Sequence, residues 1–249
     1  MIEIQNVSFG YKKGQEIFEN ISCHMHKNEI TAILGGSGCG KSTMLRLIAG
    51  LLPYDKENIC TGKILVDGKE PVQFRMNDNL SFMFQEATLL PNITVAANIA
   101  FPIKMRKKLQ TDITEYLELV GLTKYSDMYP FELSGGMKTR VALAQAFINK
   151  PNLLLLDEPF SSLDVAWKRR LYGDLLELHR INKSTIVIVT HDIDEALLLA
   201  DKIIVLGNCR SVVYETRIIK NQSNVNTISV DLNKKNYLMD ILMKENERL

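Results

Sequence analysis

The sequence carries almost no net charge, because its 30 Lys and Arg nearly cancel its 29 Asp and Glu. Nothing in that balance favours a polyanion, and nucleic acid is not an expected partner. Cysteine is scarce: Cys23, Cys39, Cys60 and Cys209 show no CxxC spacing, which points to reduced thiols rather than a disulfide framework. No basic-then-apolar leader opens the sequence, and no apolar run approaches the roughly 20 residues of a spanning helix. Service to a membrane would therefore be that of a peripheral subunit. Internal repeats, low-complexity tracts and long Pro/Gly linkers are missing too, so two autonomous domains are not expected.

What is present is a core-forming pattern, with 46% apolar residues. Ile2, Ile4, Val7 and Phe9 alternate as in a strand, and Ile30 to Leu34 reads as a more deeply buried one. A loop carrying Tyr11 lies between them. Met44, Leu45, Leu47 and Ile48 have helical spacing, with Gly50 and Pro53 as the stop. A hairpin is expected at Asp67-Gly68 and a strand at Leu80 to Phe84, followed by helices through residue 149. Strands return at Leu153 to Leu156, Ile186 to Val189 and Ile203 to Leu206. The helix between the first two places Trp167, Leu171, Leu175 and Leu178 on one face. This alternation predicts a largely parallel α/β sheet. The tail holds a short strand at Val212-Val213 and an amphipathic helix with Tyr237, Leu238, Ile241 and Leu242.

The strongest chemical signal is GGSGCGKST: Gly35, Gly36, Ser37, Gly38, Cys39, Gly40, Lys41, Ser42 and Thr43. It satisfies GxxxxGK[ST] and lies between a buried strand and a helix, as a phosphate-binding loop must. Glycines let successive N–H groups face a phosphate, and the helix N-terminus adds positive field. Lys41 would reach the β- and γ-phosphates of a nucleotide, and the Ser42 hydroxyl would ligate Mg²⁺. A plain Gly-rich turn needs fewer glycines and no following Lys-Ser.

Asp157 and Glu158 end the Leu153 strand, where α/β folds hold ligands. Asp157 suits an outer-sphere Mg²⁺ partner, and Glu158 suits the group that polarises an attacking water. His191 follows the Ile186 strand at the same kind of end. His24 and His26 alternate on a strand and resemble two metal ligands, but a surface face explains them better because no third ligand is nearby.

With these residues in hand, the sequence resembles the nucleotide-binding subunits of ATP-binding-cassette (ABC) transporters over residues 2 to 215. LSGGM, Leu133 to Met137, matches the family's signature motif and precedes a helix with Met137, Val141, Ala144 and Ile148 on one face. The resemblance implies that Tyr11 stacks on adenine, that Gln85 senses Mg²⁺ and the nucleophile, and that Ser161 to Asp164 is the D-loop. It implies that Ser134, Gly135 and Gly136 meet the γ-phosphate bound by the Lys41 of a second copy, giving a homodimer closed over two ATP molecules. Residues 84–102 and the signature helix are similar to importers of nitrate, sulfonates and taurine. Their partners are a permease, gripped through a surface to which Leu89 and Leu90 would belong, and a substrate-binding protein. The location implied is the cytoplasmic face of the cell membrane.

The fold implied is a P-loop NTPase-type core, residues 1–86 and 151–215, with an N-terminal antiparallel β subdomain. A helical subdomain spans residues 87–150 and a tail residues 216–249. Departures from the family pattern are Gly36 for Pro, Met137 for Gln, Gln145 for a basic residue, and Asn28 for Gly, which Asn tolerates by occupying the left-handed region. Asn149-Lys150-Pro151-Asn152 lacks the final Asp of a guanine motif, which argues against a GTPase. Alternatives left open are a single-cassette ATPase of iron–sulfur assembly type, an exporter ATPase, and a docking subunit that binds ATP without hydrolysis.

Overall fold

The computed structural model describes residues 1–11, 16–52, 59–77, 79–105, 112–207, 211–218 and 232–246. Pro53 and Cys209 lie outside them. Contacts divide the chain into two compact units, Met1–Asp78 with Thr185–Leu249, and Asn79–Ser184.

In the first unit, β1 (Ile2–Gly10) pairs antiparallel with β2 (Glu16–Met25) on one side and β4 (Ile59–Val66) on the other. Their alternating apolar residues bury one face, with Ile2, Ile4, Val7, Phe9 and Phe18 shielded from solvent. The second sheet centres on β3 (Ile30–Gly35), whose every residue is buried. Parallel neighbours flank it, β7 (Thr185–Thr190) and β8 (Lys202–Leu206), and β9 (Val212–Arg217) closes the edge antiparallel to β8. A continuous apolar run suits such a strand, because parallel sheets are covered on both faces. Asn28, entering β3, has φ of 60°, the left-handed conformation its side chain permits.

Asp67 and Gly68 form a tight turn with φ of 53° and 77°, closed by reciprocal Val66–Lys69 backbone hydrogen bonds. The second hairpin arm is a single residue, Lys69, bridged antiparallel to Val66. Pro71 instead opens α2 (Pro71–Asn77), where its fixed φ is already helical and its missing N–H is no loss. The tail helix α8 (Leu232–Asn246) lays Leu238, Ile241 and Leu242 on a core of Ala32, Leu34, Ile203 and Val205. Lys235 ties it to Asp194 at 2.7 Å, on α7 (Ile193–Leu199). Tyr237 sits outside that core, edge-on to Tyr214 with ring centroids 5.2 Å apart.

In the second unit, β5 (Leu80–Met83) runs parallel to β6 (Leu153–Asp157). Here α5 (Gly135–Phe147) packs on β5, α3 (Val95–Met105) and α4 (Ile113–Leu119) pack on α5, and α6 (Val165–Asn182) follows β6. Leu171 and Leu175 on α6 are buried, while Trp167 and Leu178 are half-buried on the same face. The remaining helix, α1 (Lys41–Ile48), belongs to the first unit and comes directly after β3. Among the described residues no helix is long and apolar enough to cross a membrane.

Candidate functional site

The phosphate loop connects β3 to α1 by a path that only glycine takes easily. Gly38 and Gly40 have φ of 82° and 97°, and a Cβ at Gly40 would come within 2.6 Å of Ile17 and Phe18 side-chain atoms. A Cβ at Gly35 would press on Cys39 Sγ and the Leu206 carbonyl oxygen, both 2.6 Å away. The cradle thus exists because side chains are missing there.

No side chain caps α1 and its first turn holds no acidic residue, so no carboxylate of that turn offsets the positive field of its N-terminus. A phosphate chain fits such a terminus. Lys41 is buried, and its Nζ donates to the Gly36 carbonyl at 2.7 Å, which holds the ammonium over the loop. Ser42 is half-buried and Thr43 buried, while Gly36 is half-buried and Ser37 exposed. Burial pushes the Cys39 thiol pKa up, outweighing the pull of Lys41, so it stays a protonated, small side chain.

Tyr11 is exposed beside this loop. Its hydroxyl lies 3.4 Å from Thr43 Oγ1 and its ring stands edge-on to Phe9, centroids 5.2 Å apart. His191 leaves β7 at the same end, since Leu34 pairs with Thr190 in the parallel ladder. It is exposed, and Asp192 after it caps α7 by accepting from the Asp194 and Glu195 N–H groups at 3.0 and 3.2 Å.

In the other unit Met83 pairs with Leu156, so the chain beyond β5 and the end of β6 emerge together. Gln85 Nε2 donates to Glu158 Oε2 at 3.3 Å there. Asp157 is fully buried at the strand end, and Glu158 comes next with φ of 47°. Positive φ is uncommon for a residue with a Cβ, and such conformations cluster at functional sites.

Ser134 caps α5 by accepting from the Met137 N–H at 3.3 Å. Ser134 and Gly135 are exposed and Gly136 is half-buried. The D-loop lies alongside: Thr139 Oγ1 and Ser162 Oγ are 2.7 Å apart, and a Cβ at Gly136 would touch Leu163 and the Ser162 carbonyl. Asp164, exposed, caps α6 through the Ala166 and Trp167 N–H groups, each at 3.0 Å.

Asn98, by contrast, carries no sequence signal. Asn98 is completely buried, and its amide donates to the Leu90, Ile93 and Thr94 carbonyls while its oxygen accepts from the Leu90 N–H. It pins the loop before α3. Gln145 in turn donates to the Asn98 carbonyl at 2.8 Å. An open groove beside them is lined by Phe82, Phe84, Leu90, Phe101, Gln145 and Asn149, and among the described residues no charged side chain contributes to its lining. Leu90 is exposed as expected, whereas Leu89 is half-buried. His24 ends up near the end of β2 and His26 one residue past it, their rings 4.3 Å apart. Desolvation and the neighbouring His26 lower the His24 pKa.

These features define an ATP-binding cassette, and comparison with known proteins agrees. The profile of the family described as ABC transporter matches residues 18–161. An aliphatic sulfonates import ATP-binding protein of Bacillus cereus is 40% identical over 193 residues, covering 77% of this chain and 74% of that protein. A sulfate/thiosulfate import ATP-binding protein of Thermosynechococcus vestitus is 42% identical over 211 residues, 83% of this chain and 61% of that one. A dimeric ATP-binding cassette solved in a post-hydrolysis state with ADP and Pi superposes with a TM-score of 0.77 at 28% identity, over 89% of this chain and 100% of that one. The chain belongs to the ABC transporter family.

Proposed function

We propose that this chain is the ATP-hydrolysing subunit of a membrane importer for a small anion such as a sulfonate, taurine or nitrate. Two copies close over two ATP molecules on the cytoplasmic face of the cell membrane. Hydrolysis drives a separate permease served by a substrate-binding protein. The direction is supported by relatives whose names specify import, and the anion class by those among them named for sulfonates and for sulfate or thiosulfate.

In this reading the adenine stacks on Tyr11, and Gly35 to Thr43 hold the phosphates, with Lys41 on the β- and γ-phosphates. Ser42, Gln85 and Asp157 would hold Mg²⁺, which neutralises phosphate charge when bound. Glu158 takes the proton of the attacking water while Gln85 keeps its carboxylate oriented, and His191 steadies the γ-phosphate. Ser134, Gly135 and Gly136 from the second copy complete the pocket, with Asp164 holding the adjoining D-loop. Closing and opening of the pair then tracks γ-phosphate binding and loss. The groove around Leu90 and Phe101, with Thr88, Gln145 and Asn149 as polar partners, suits a permease helix that offers both apolar and polar side chains.

The Gln85–Glu158 hydrogen bond carries the catalytic part of this reading. The test is steady-state ATP turnover of wild type beside Glu158→Gln, with chromatographic sizing in ATP. Glu158→Gln should lose roughly 10²–10⁴-fold in turnover, the usual worth of a general base. It should still bind ATP and run as a dimer. Unchanged turnover, or a monomer at saturating ATP in the variant, sinks the proposal.

A further inference from the structure

Trp167 is the chain's single tryptophan and lies in the first turn of α6. The Arg140 guanidinium sits 3.9 Å from its ring centroid and that of Arg170 5.1 Å. Both arginines also hold the end of α4: Arg140 Nη1 donates to the Val120 carbonyl at 2.8 Å, and Arg170 Nη2 to the Glu118 carbonyl at 3.2 Å. Gly121 comes next with φ of 64°, and a Cβ there would fall on the indole ring. Start of α6, middle of α5 and end of α4 therefore meet at one side chain.

Filling a core would not require this arrangement. Arg140 is buried, and desolvation lowers its pKa while the Asp164 carboxylate pulls it back up. A guanidinium in such a place is held by its hydrogen bond, by Asp164 and by the face of the ring. The residues next to the stack touch the loops meant for a second copy. Thr139 precedes Arg140 and meets Ser162, and the Asp164 carboxylate accepts from the N–H of Trp167 itself.

We infer that Trp167 is a positioning residue: the Arg140–Trp167–Arg170 stack locks the Ser161–Asp164 turn against the Ser134–Gly136 loop, so that both reach the second copy's nucleotide as one surface. This rests on the two-copy site proposed above. Loosening the stack therefore harms closure and turnover, and leaves ATP binding by Tyr11 and Lys41 of the same copy intact.

Two measurements on the full chain test it. In the wild type, iodide should quench Trp167 fluorescence well above caesium, because two guanidinium cations lie within 3.9 and 5.1 Å of the ring centroid; equal quenching by both ions overturns the stack. Next, ATP affinity, kcat, Hill coefficient and melting temperature are compared for Trp167→Phe and Trp167→Leu. Trp167→Phe keeps an aromatic face and should retain kcat within about threefold. Trp167→Leu should lose roughly tenfold or more in kcat, and its Hill coefficient should drop, with ATP affinity within about twofold of wild type.

Equal kcat in the two variants overturns the inference. So does a Trp167→Leu protein that loses ATP affinity and melting temperature together with kcat, since that is a merely structural role. A wild type with no turnover overturns the proposed function itself and this inference with it. Normal wild-type turnover beside an indifferent Trp167→Leu overturns this inference alone.

Discussion

Gln85 and Glu158 stand 73 positions apart in the chain, yet the amide of one donates to the carboxylate of the other at 3.3 Å. The contact exists because β5 and β6 are parallel neighbours in register, Met83 against Leu156. It orients a carboxylate that its own backbone already turns by a left-handed φ.

Replacing Gln85 by Leu removes that orienting donor without touching the phosphate loop. Turnover should fall roughly 10- to 100-fold, matching the ~1.5–3 kcal/mol of a hydrogen bond to a charged group. ATP affinity measured without Mg²⁺ should hold, since Gln85 would reach the nucleotide only through the ion. Single-turnover hydrolysis beside equilibrium binding of labelled ATP separates the two quantities.

Tyr11 presents an exposed ring braced by Phe9 next to Thr43. Tyr11→Phe keeps the ring and should bind ATP nearly normally. Tyr11→Ala should weaken binding by about 1 kcal/mol, the scale of an aromatic stacking pair. Calorimetric titration checks both, and equal affinity in all three proteins removes Tyr11 from the adenine site.

Asn98 makes four hydrogen bonds to the loop ahead of α3 and is fully buried. Asn98→Leu strands buried backbone groups and should cost about 1–3 kcal/mol of unfolding free energy or more. Urea denaturation measures the loss. Faster amide exchange at Leu90, whose N–H the Asn98 oxygen holds, would mark the change as local to this loop.

Cys23 sets a pH dependence on the alkaline side. Burial and the Glu215 carboxylate push its pKa from 9.0 up to about 12, against the pull of Lys202. Above pH 9 the unfolded thiol loses a proton that the folded one keeps, so stability falls as pH rises from 9 toward 12. Melting temperatures over that range should decline, and less steeply in Cys23→Ala. The Cys39 and Cys60 thiols, also raised by burial, keep part of the slope in that variant.

Local structure was legible wherever one residue type answers one local demand. Glycines at 38 and 40 occupy positive φ, Asn28 takes the left-handed entry to β3, and Ser134 and Asp164 cap the helices they precede. The Asp67-Gly68 turn was equally plain, but the segment after it was not: Pro71 is compatible with a strand edge or a helix start, and only packing chose α2. Asn98 gave no warning at all, since a single Asn in VAANIA looks like surface until its loop folds over it.

The amino-acid order by itself determined the phosphate loop, the strand-end carboxylates and the signature, because each is a short run whose backbone chemistry is complete in a few residues. Tertiary structure alone decided which of them meet: Gln85 with Glu158, Thr139 with Ser162, Tyr11 with Thr43, and Trp167 with two arginines. Such meetings depend on strand register and helix packing across dozens of residues, and no local pattern encodes the position of a distant partner.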